Sequence, residues 1–392
     1  MKDNITRIKK ACNAFVLIAV SLLICNCGTS NKDSAENFGI SSKKMEFSQQ
    51  YYIEDESCTI KKVFVKNTRG NKESSEVYTL VPRDCTGILS ADINAIPYPV
   101  ENVICMSSSH VAFLTKLGME SKISGISGTR FISNKKVTEL IDDKKIVDIG
   151  SEELPNYELI ISLKPDVIFA YRVNGNSNSY IETLQKYGIK VLTIGEHLEE
   201  EPLGKVEYIK LFGLLCNRKM EADSIFSSIK EEYIKTKQDI AEHTGNTSKA
   251  KVLINIPYKG VWMIPGGNNY ISRIIQDAGG CILGAKEGIS HSSQMSFEEI
   301  YNIALQADVW IHTNMINKLD DLGRENPLYK NIPSFKRGEV YNNTAIVTPN
   351  GGSDYWETGT IEPHIILKDL AKILHPDLMK DNHTLKYYLK LD

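Results

Sequence analysis

The chain has 392 residues, of which 42% are hydrophobic and 24% charged, and its formal net charge is −3. That composition excludes an intrinsically disordered protein, and the length predicts two or more domains. The near-neutral charge argues against nucleic-acid binding, because proteins that bind nucleic acid present strongly basic surfaces.

The N-terminal segment indicates export. Basic residues near the start precede the apolar run AFVLIAVSLLIC (14–25), which is too short for a comfortable membrane span. A polar stretch beginning with cysteine follows, and this order resembles a bacterial lipoprotein signal, in which a cysteine becomes the lipid-bearing first residue. We predict a signal peptide over 1–26 and lipidation at Cys27, with Cys25 as the alternative. A plain cleaved signal and an N-terminal anchor helix are further interpretations of this segment. Each of them places the mature protein outside the cytoplasm, facing the periplasm or the cell exterior.

The cysteines beyond the signal do not have metal-site spacing such as Cys-x-x-Cys, so we expect core residues or a single disulfide and no metal centre. Cys58 and Cys85 fall in one predicted β-rich region and could pair, because an exported protein can keep disulfides. Their spacing alone does not decide whether they pair.

Residues 27–96 are predicted to form a polar tether and a small β-region. Two runs of alternating apolar and polar residues, beginning YYIEDES and SEVYTL, flank the turn-like stretch NTRGNKES, a pattern typical of a β-hairpin. From 97 to 201, short apolar runs such as VICMSS alternate with helical patterns such as HVAFLTKLG. Strands that alternate with helices predict a parallel α/β lobe.

Residues 202–243 have helical periodicity and no strand pattern, which predicts one long spine helix. The alternation of strands and helices resumes over 244–392 and predicts a second α/β lobe. The fold class is therefore α/β, with two parallel-sheet lobes joined by the spine and a small β-region added in front.

One helix–strand unit occurs twice, as NYELIISLKPDVIFAY (156–171) and SFEEIYNIALQADVWIHTN (296–314). Each copy begins with a polar residue and a carboxylate, Glu158 in the first and Glu298 in the second. Acidic residues in a first helical turn are also favoured by the helix dipole, so the match alone does not assign them a role.

The chain resembles the solute-binding lipoproteins of ABC importers for iron chelates and cobalamin over about residues 97–375. The resemblance rests on the two helix–strand units, the spine and the stretch IPGGNNYISRIIQDAGG. The resemblance implies a monomer that delivers its ligand to a permease dimer with its ATPase. It also implies that Glu158 and Glu298, one on each lobe, dock on permease arginines, with Glu299 as a one-residue alternative. No cofactor and no enzymatic activity are expected.

Ligands of open α/β sheets bind beyond the carboxyl ends of the strands, so the loops after the strands are predicted to line an interlobe cleft. Aromatic side chains concentrate there, which suits a large flat ligand. The predicted ligand-binding residues are Ser108, His110, Arg130, Tyr171, Arg172, Tyr258, Trp262, Asn269, Asp354, Tyr355 and Trp356.

The residues leave the ligand open between an iron chelate (a siderophore or haem) and a corrinoid such as cobalamin. Basic residues such as Arg130 would suit an anionic siderophore. Asp354 falls where a cobalamin binder of this family has a cleft carboxylate, which favours a corrinoid.

Two further hypotheses are an exported enzyme acting on a metal chelate and a surface protein that binds a partner. The chain lacks Gly-x-Ser-x-Gly and His-Glu-x-x-His, and PGGNNY lacks the lysine of a phosphate-binding loop.

Overall fold

The computed structural model describes residues 42–43, 45–57, 59–69, 72–172, 179–245, 247–379 and 383–392. The signal peptide, both candidate lipidation sites and Cys58 lie outside the described residues. The described cysteines, Cys85, Cys105, Cys216 and Cys281, are free thiols. No helix within the described ranges has both the length and the apolar character needed to cross a membrane.

The predicted β-region is a five-stranded sheet with the strand order β1-β2-β3-β4-β5. Neighbouring strands are antiparallel up to β4, and β5 joins β4 in parallel after the short helix α1 (Thr86–Ala91). Alternation of side chains sends Val63 and Val65 of β3 into the core. The strands are β1 (Ser42–Lys43), β2 (Tyr51–Asp55), β3 (Lys61–Arg69), β4 (Lys72–Pro82) and β5 (Ala95–Tyr98).

The first α/β lobe, here called the N-lobe, has a parallel sheet in the order β10-β9-β6-β7-β8. Its central strands are buried along their whole length, which explains their continuous apolar runs. The strands are β6 (Val103–Cys105), β7 (Ile123–Ile126), β8 (Val147–Asp148), β9 (Val167–Ala170) and β10 (Val191–Thr193). The helices are α2 (Ser108–Lys116), α3 (Lys135–Asp142), α4 (Tyr157–Leu163) and α5 (Ser179–Lys186), with 3-10 turns at Glu120–Lys122, Thr129–Phe131 and Glu196–Leu198.

The segment predicted as one spine helix is three helices, α6 (Pro202–Glu207), α7 (Ile209–Leu215) and α8 (Lys219–Thr244). The prediction of one helix from residue 202 was wrong: α6 and α7 are separated at Tyr208, and Asn217, which has a left-handed φ of 56°, separates α7 from α8. The long helix of the prediction is α8, which has 26 residues. Its buried side chains recur every three or four residues and form one face: Ala222, Phe226, Ile229, Tyr233, Thr236 and Ile240.

The second α/β lobe, the C-lobe, has the strand order β13-β11-β15-β16-β17, parallel except for β17. Its strands are β11 (Ala250–Ile254), β13 (Gly280–Ile282), β15 (Val309–Ile311), β16 (Val340–Asn342) and β17 (Leu389–Lys390), and β12 (Trp262–Ile264) pairs with β14 (Ser293–Met295) beside them. The helices are α9 (Tyr270–Asp277), α10 (Phe297–Ala304), α11 (Leu319–Glu325), α12 (Pro333–Lys336), α13 (Pro363–Leu374) and α14 (Pro376–Met379), with 3-10 turns at Pro327–Asn331 and Thr358–Ile361. Two parallel-sheet lobes with helices between them and a β-region in front confirm the predicted fold class.

Candidate functional site: an interlobe cleft

A cavity of about 540 Å³, here called the main cleft, lies between the lobes and is lined by residues from both of them. The N-lobe contributes the start of α2, the C-lobe contributes the start of α9 and the loop before Thr358, and α6 contributes Lys205. This position beyond the strand ends is the one that the topology predicts. Four of the predicted ligand-binding residues line it: Ser108, Asn269, Tyr355 and Trp356.

Two further chambers lie beside the main cleft, one at the mouth of each lobe. The N-lobe chamber, of about 560 Å³, shares Ser107 and Ser108 with the main cleft and also holds Arg130 and Tyr171. The C-lobe chamber, of about 340 Å³, shares Trp356 with the main cleft and also holds Tyr258. The shared lining residues place both chambers directly beside the main cleft, and together the three spaces offer room for a large ligand.

The polar floor of the main cleft is built around Glu196, which follows strand β10. Its carboxylate is buried and accepts a hydrogen bond from Ser109 Oγ at 2.5 Å. Burial raises the pKa of Glu196, but the neighbouring His197 and His110 and the Ser109 hydroxyl lower it more, to about 2. A carboxylate is therefore held in its charged form under the cleft.

His110 does not line the cleft, which corrects its assignment as a ligand-binding residue. Its side chain has no exposed surface and lies behind Glu196, with Nε2 4.0 Å from Oε2 of that carboxylate. Burial lowers the pKa of His110 to about 4, so the imidazole is neutral at pH 7. The third position of α2 points into the core because the first turn of the helix packs against β9 and α7.

The prediction of Arg172 as a ligand-binding residue is also corrected. Its guanidinium donates to Glu76 of the β-region at 2.5 Å and is mostly buried, so it binds the β-region to the N-lobe and does not face a ligand. Arg130, by contrast, lines the N-lobe chamber and lies 4.7 Å from the centre of the Phe131 ring.

Trp262 belongs to the core of the C-lobe and not to the cleft. It is 1% exposed, donates from Nε1 to the carbonyl of Ile254 at 2.8 Å, and stacks on Trp310. Strand β12 alternates its side chains, and the register with β14 directs Trp262 inward while Met263 points outward. Its prediction as a ligand-binding residue was therefore wrong.

Asp354 is the remaining correction, because it bonds the two lobes together and does not line the cleft. Its Oδ1 accepts hydrogen bonds from Ser133 of the N-lobe at 2.8 Å and from Thr358 at 2.6 Å. Glu357 beside it accepts from the amides of Ser133 and Asn134 at 2.6 and 3.1 Å. These bonds, here called the interlobe contact, occupy Oδ1 of the carboxylate that the sequence assigned to a ligand.

Glu196, Lys205 and Tyr270 are among the cleft residues that are absent from the predicted ligand-binding set. Tyr270 follows Asn269, the N-cap of α9, whose side chain accepts from Ile271 N at 3.1 Å. Because Asn269 was predicted from this helix start, Tyr270 could have been found by the same signal. Lys205 lies within a helical pattern and Glu196 within a run of charged residues, and neither pattern distinguishes a cleft residue from a solvated one.

Glu158 and Glu298 occupy equivalent places on the two lobes. Each is exposed and is the second residue of its helix, α4 in the N-lobe and α10 in the C-lobe. Each helix leads into a buried parallel strand, β9 or β15. Glu299, the one-residue alternative, is engaged in a capping box with Ser296, where its Oε2 accepts from the backbone N–H at 2.8 Å.

Comparisons with known proteins agree with this architecture. An uncharacterized lipoprotein of Methanocaldococcus jannaschii is 27% identical over 77% of this chain and 71% of its own. An uncharacterized ABC transporter substrate-binding lipoprotein of Bacillus subtilis, YvrC, is 22% identical over 79% of this chain and 90% of its own. The triscatecholate siderophore binding protein FeuA of Bacillus subtilis, solved with ferri-bacillibactin, has the same fold, with a TM-score of 0.54, 18% identity, and coverage of 80% of this chain and 99% of its own.

The family model described as "Periplasmic binding protein" matches residues 103–346, which is more than half of the chain. The match begins at the first strand of the N-lobe and ends after β16 of the C-lobe, so it includes the main-cleft residues of both lobes except Tyr355, Trp356 and Thr360. The resemblance drawn from the sequence is confirmed, and the chain belongs to the periplasmic binding protein family.

Proposed function

We propose that this chain is the solute-binding protein of an ABC importer and that it captures a metal chelate. The ligand class comprises iron chelates, such as a siderophore or haem, and corrinoids such as cobalamin. The family supports a binding role without turnover. The names of YvrC and FeuA support the importer and the chelate, respectively.

The observation that carries this proposal is the exposed indole of Trp356 inside the cleft. It is 54% exposed, lies where the main cleft meets the C-lobe chamber, and packs edge-on against Tyr355 with ring centroids 4.8 Å apart. The other two tryptophans, Trp262 and Trp310, are buried in the C-lobe. An exposed aromatic face in a cavity of this size suits the flat or apolar surface of a large ligand.

The distribution of tryptophans gives a direct test. Ferric siderophores, haem and cyanocobalamin are titrated against the full-length protein while acrylamide quenching of tryptophan emission is followed. Acrylamide reaches Trp356 and not the two buried indoles, so a bound ligand should protect the accessible fraction of the emission. The variant Trp356→Ala should lose that fraction and bind the same ligand with an affinity weaker by about 1–3 kcal/mol.

The matched control is Tyr187→Ala, which removes another exposed ring at 58% exposure from the end of α5. Tyr187 does not line the main cleft or either chamber, so its removal should leave ligand affinity unchanged. Equal affinities in Trp356→Ala and the unaltered protein would place the ligand elsewhere. Chemical change of the ligand during the titration would instead support an enzyme.

Delivery to the importer is proposed to use Glu158 and Glu298. Two exposed carboxylates on equivalent helix starts suit a partner with two-fold symmetry, and a carboxylate can form a bidentate contact with arginine. Glu299 is less suited because its carboxylate is already used in the capping box.

Attachment to the membrane through a lipid on Cys27 completes the proposal. The relatives from M. jannaschii and B. subtilis carry names that include lipoprotein, which supports an exported and anchored protein. Mass spectrometry of the mature N-terminus tests the site: a lipidated Cys25 would correct the register, and an unmodified start beyond residue 27 would exclude the anchor.

A further inference from the structure

The interlobe contact places one hydroxyl group between two carboxyl groups. Oγ of Ser133 lies 2.8 Å from Oδ1 of Asp354 and 2.8 Å from Oε2 of Glu357, so both contacts have the length of a hydrogen bond. A serine hydroxyl carries a single hydrogen and can donate it fully to only one of these oxygens. An ionised carboxylate has no hydrogen to donate in return, so the second contact needs a hydrogen from elsewhere.

The other donors of the contact do not supply that hydrogen. The Thr358 hydroxyl donates to Asp354 at 2.6 Å, and the amides of Ser133 and Asn134 donate to Glu357 at 2.6 and 3.1 Å. Each of these donors serves one carboxyl group, and none of them bridges the two. Among the described residues, no lysine, arginine or histidine nitrogen lies within 4.0 Å of either carboxyl group. Two negative charges would therefore face each other here without a cation.

Burial makes two charges at this place costly. Asp354 is 7% exposed and Glu357 is 1% exposed. Burial raises the pKa of Glu357 above its ordinary value of 4.5, and the charge of Asp354 adds to this, although hydrogen bonds from Ser133 and Asn134 oppose it. Two carboxyl groups that share a buried site favour the state in which one of them is protonated, and such a proton belongs to the pair.

The titratable groups on the surrounding elements do not neutralise the pair. The 3-10 turn Thr358–Ile361 packs against α2, α6 and α13, and α3 begins after Asn134. Two glutamates of these elements have cations of their own, because Glu362 pairs with Lys116 at 3.0 Å and Glu207 with Lys210 at 2.8 Å. In the described part of the chain, the other titratable side chains around the pair form no hydrogen bond or ion pair with it: Arg130, Lys135, Lys136, His110, Lys205, His364, Lys368, Tyr355 and Tyr387.

We propose that Asp354 and Glu357 share one proton, taken from solvent, and that this proton joins the two lobes through Ser133. One carboxyl group then donates to Ser133 Oγ, and Ser133 donates to the other, so each contact has its own hydrogen. Loss of the proton leaves two like charges and weakens the contact. Trp356 lies between the two carboxyl residues in the chain, so Asp354 and Glu357 are positioning residues for this part of the cleft wall.

The direction of the pH effect follows from the raised pKa. A carboxyl group whose pKa is raised in the folded contact stabilises that contact fully below the unfolded value of about 4.5, and the stabilisation is lost as the pH rises through the folded pKa. A single proton changes the equilibrium between the closed and the open contact by at most about tenfold per pH unit. The lobes should therefore be held together more tightly in acid.

Hydrogen exchange on the full-length protein without ligand tests the proposal between about pH 5 and about pH 8. The protection factors of the Ser133 and Asn134 amides should fall as the pH rises, by up to about tenfold per pH unit within the titration range. The variant Asp354→Asn carries a permanent N–H donor and leaves Glu357 to accept from both amides. Its protection factors at these two amides should not depend on pH.

The matched control is Asp148→Asn, which makes the same change on β8, where the carboxylate accepts from the amides of Thr129 and Gly150, both at 2.9 Å. It should keep the pH dependence of the unaltered protein at Ser133 and Asn134. Amides at the centre of α8 report overall stability in each protein and should not follow the same pH dependence. Glu357→Gln supplies the donor from the other side of Ser133 and should also abolish the pH dependence, which keeps the test open if Asp354→Asn does not fold.

Two results would overturn the shared proton. The first is protection at Ser133 and Asn134 that does not change with pH in the unaltered protein. The second is an equal pH dependence in the unaltered protein and in the folded Asn or Gln variant. Because no ligand is present in this experiment, either result leaves the proposed chelate-binding function untouched, and failure of every chelate to bind leaves the shared proton untouched.

Discussion

Replacing Glu207 should show how strongly the added β-region is attached to helices α6, α7 and α8, here called the interlobe helices. This glutamate ends α6 and is fully buried, and its carboxylate accepts hydrogen bonds from the amides of Glu46, Phe47 and Ser48 at 3.0, 2.8 and 2.9 Å. It also accepts from Lys210 Nζ at 2.8 Å. One side chain therefore holds the segment of the β-region that leads into β2.

The size of the effect follows from which donors can reach water. Glu46 is an exposed residue and Lys210 is partly exposed, so their donors can be hydrated in Glu207→Ala, whereas Phe47 is half-buried and Ser48 is buried. Each buried donor left without an acceptor costs about 1–3 kcal/mol, so the two together predict a loss of about 2–6 kcal/mol in the free energy of unfolding. Glu207→Gln keeps one oxygen acceptor and should lose less.

The pH dependence gives this prediction a second readout. Burial raises the pKa of Glu207, but hydrogen bonds from Lys210 and the three amides lower it more, so it lies below its ordinary value of 4.5. A carboxyl with a lowered pKa contributes stability above its unfolded pKa and loses it as the pH falls through the folded pKa. The difference between the unaltered protein and Glu207→Ala should therefore be full at pH 7 and shrink below about pH 4.5.

Denaturant unfolding followed by circular dichroism, at pH 7 and at pH 3.5, measures both effects. The control is Glu221→Ala, which removes a glutamate from the exposed surface of α8, where it pairs with Arg218; it should change stability little, because exposed ion pairs contribute little. The reasoning is refuted if Glu207→Ala unfolds at the same denaturant concentration as this control, or if its deficit does not depend on pH.

Two further predictions concern the permease and the lobes. The double variant Glu158→Ala with Glu298→Ala should bind ligand normally yet support little uptake in transport assays, because each lost charge-assisted contact weakens docking by about 1–3 kcal/mol; normal uptake would show that the pair is only a repeated feature of the fold. The variant Glu357→Ala should speed hydrogen exchange at the amides of Ser133 and Asn134, since both lose their acceptor, while amides within α8 serve as the internal control and should not change. Unchanged exchange at those two amides would contradict the interlobe contact.

The elements that the sequence predicted well are those with strong local patterns. The units α4–β9 and α10–β15 have a polar cap, an apolar helical face and a short buried strand, so their form follows from residues within each segment. The exposure of the first turn of each helix is also predictable from the sequence, because the apolar face of the helix determines which side meets solvent.

The errors fall where the deciding contacts are distant in the sequence. Asp354 was expected to face a ligand, but its partner Ser133 is 221 positions away and belongs to the other lobe. Trp262 depends on the pairing of β12 with β14, which decides the direction of every side chain in so short a strand. Lys205 lies in the cleft because helix α6 packs against elements of both lobes. Helical periodicity within the segment does not predict that packing.

The contacts between the lobes bear on how the cleft captures a ligand. Helices α6 to α8 connect the two lobes along the chain. The interlobe contact adds hydrogen bonds from Ser133 and Asn134 of the N-lobe to Asp354 and Glu357 of the C-lobe. The backbones meet so closely there that a Cβ on Gly352 would lie 2.0 Å from the carbonyl oxygen of Phe131, so only glycine fits. Lys116 of the N-lobe also pairs with Glu362 of the C-lobe at 3.0 Å, and lobes bonded at several places resist wide opening. The exposed side chain of Trp356 takes no part in these bonds and stays accessible to a ligand. Selection of the ligand should therefore depend on the side chains that line the cleft more than on closure of the lobes.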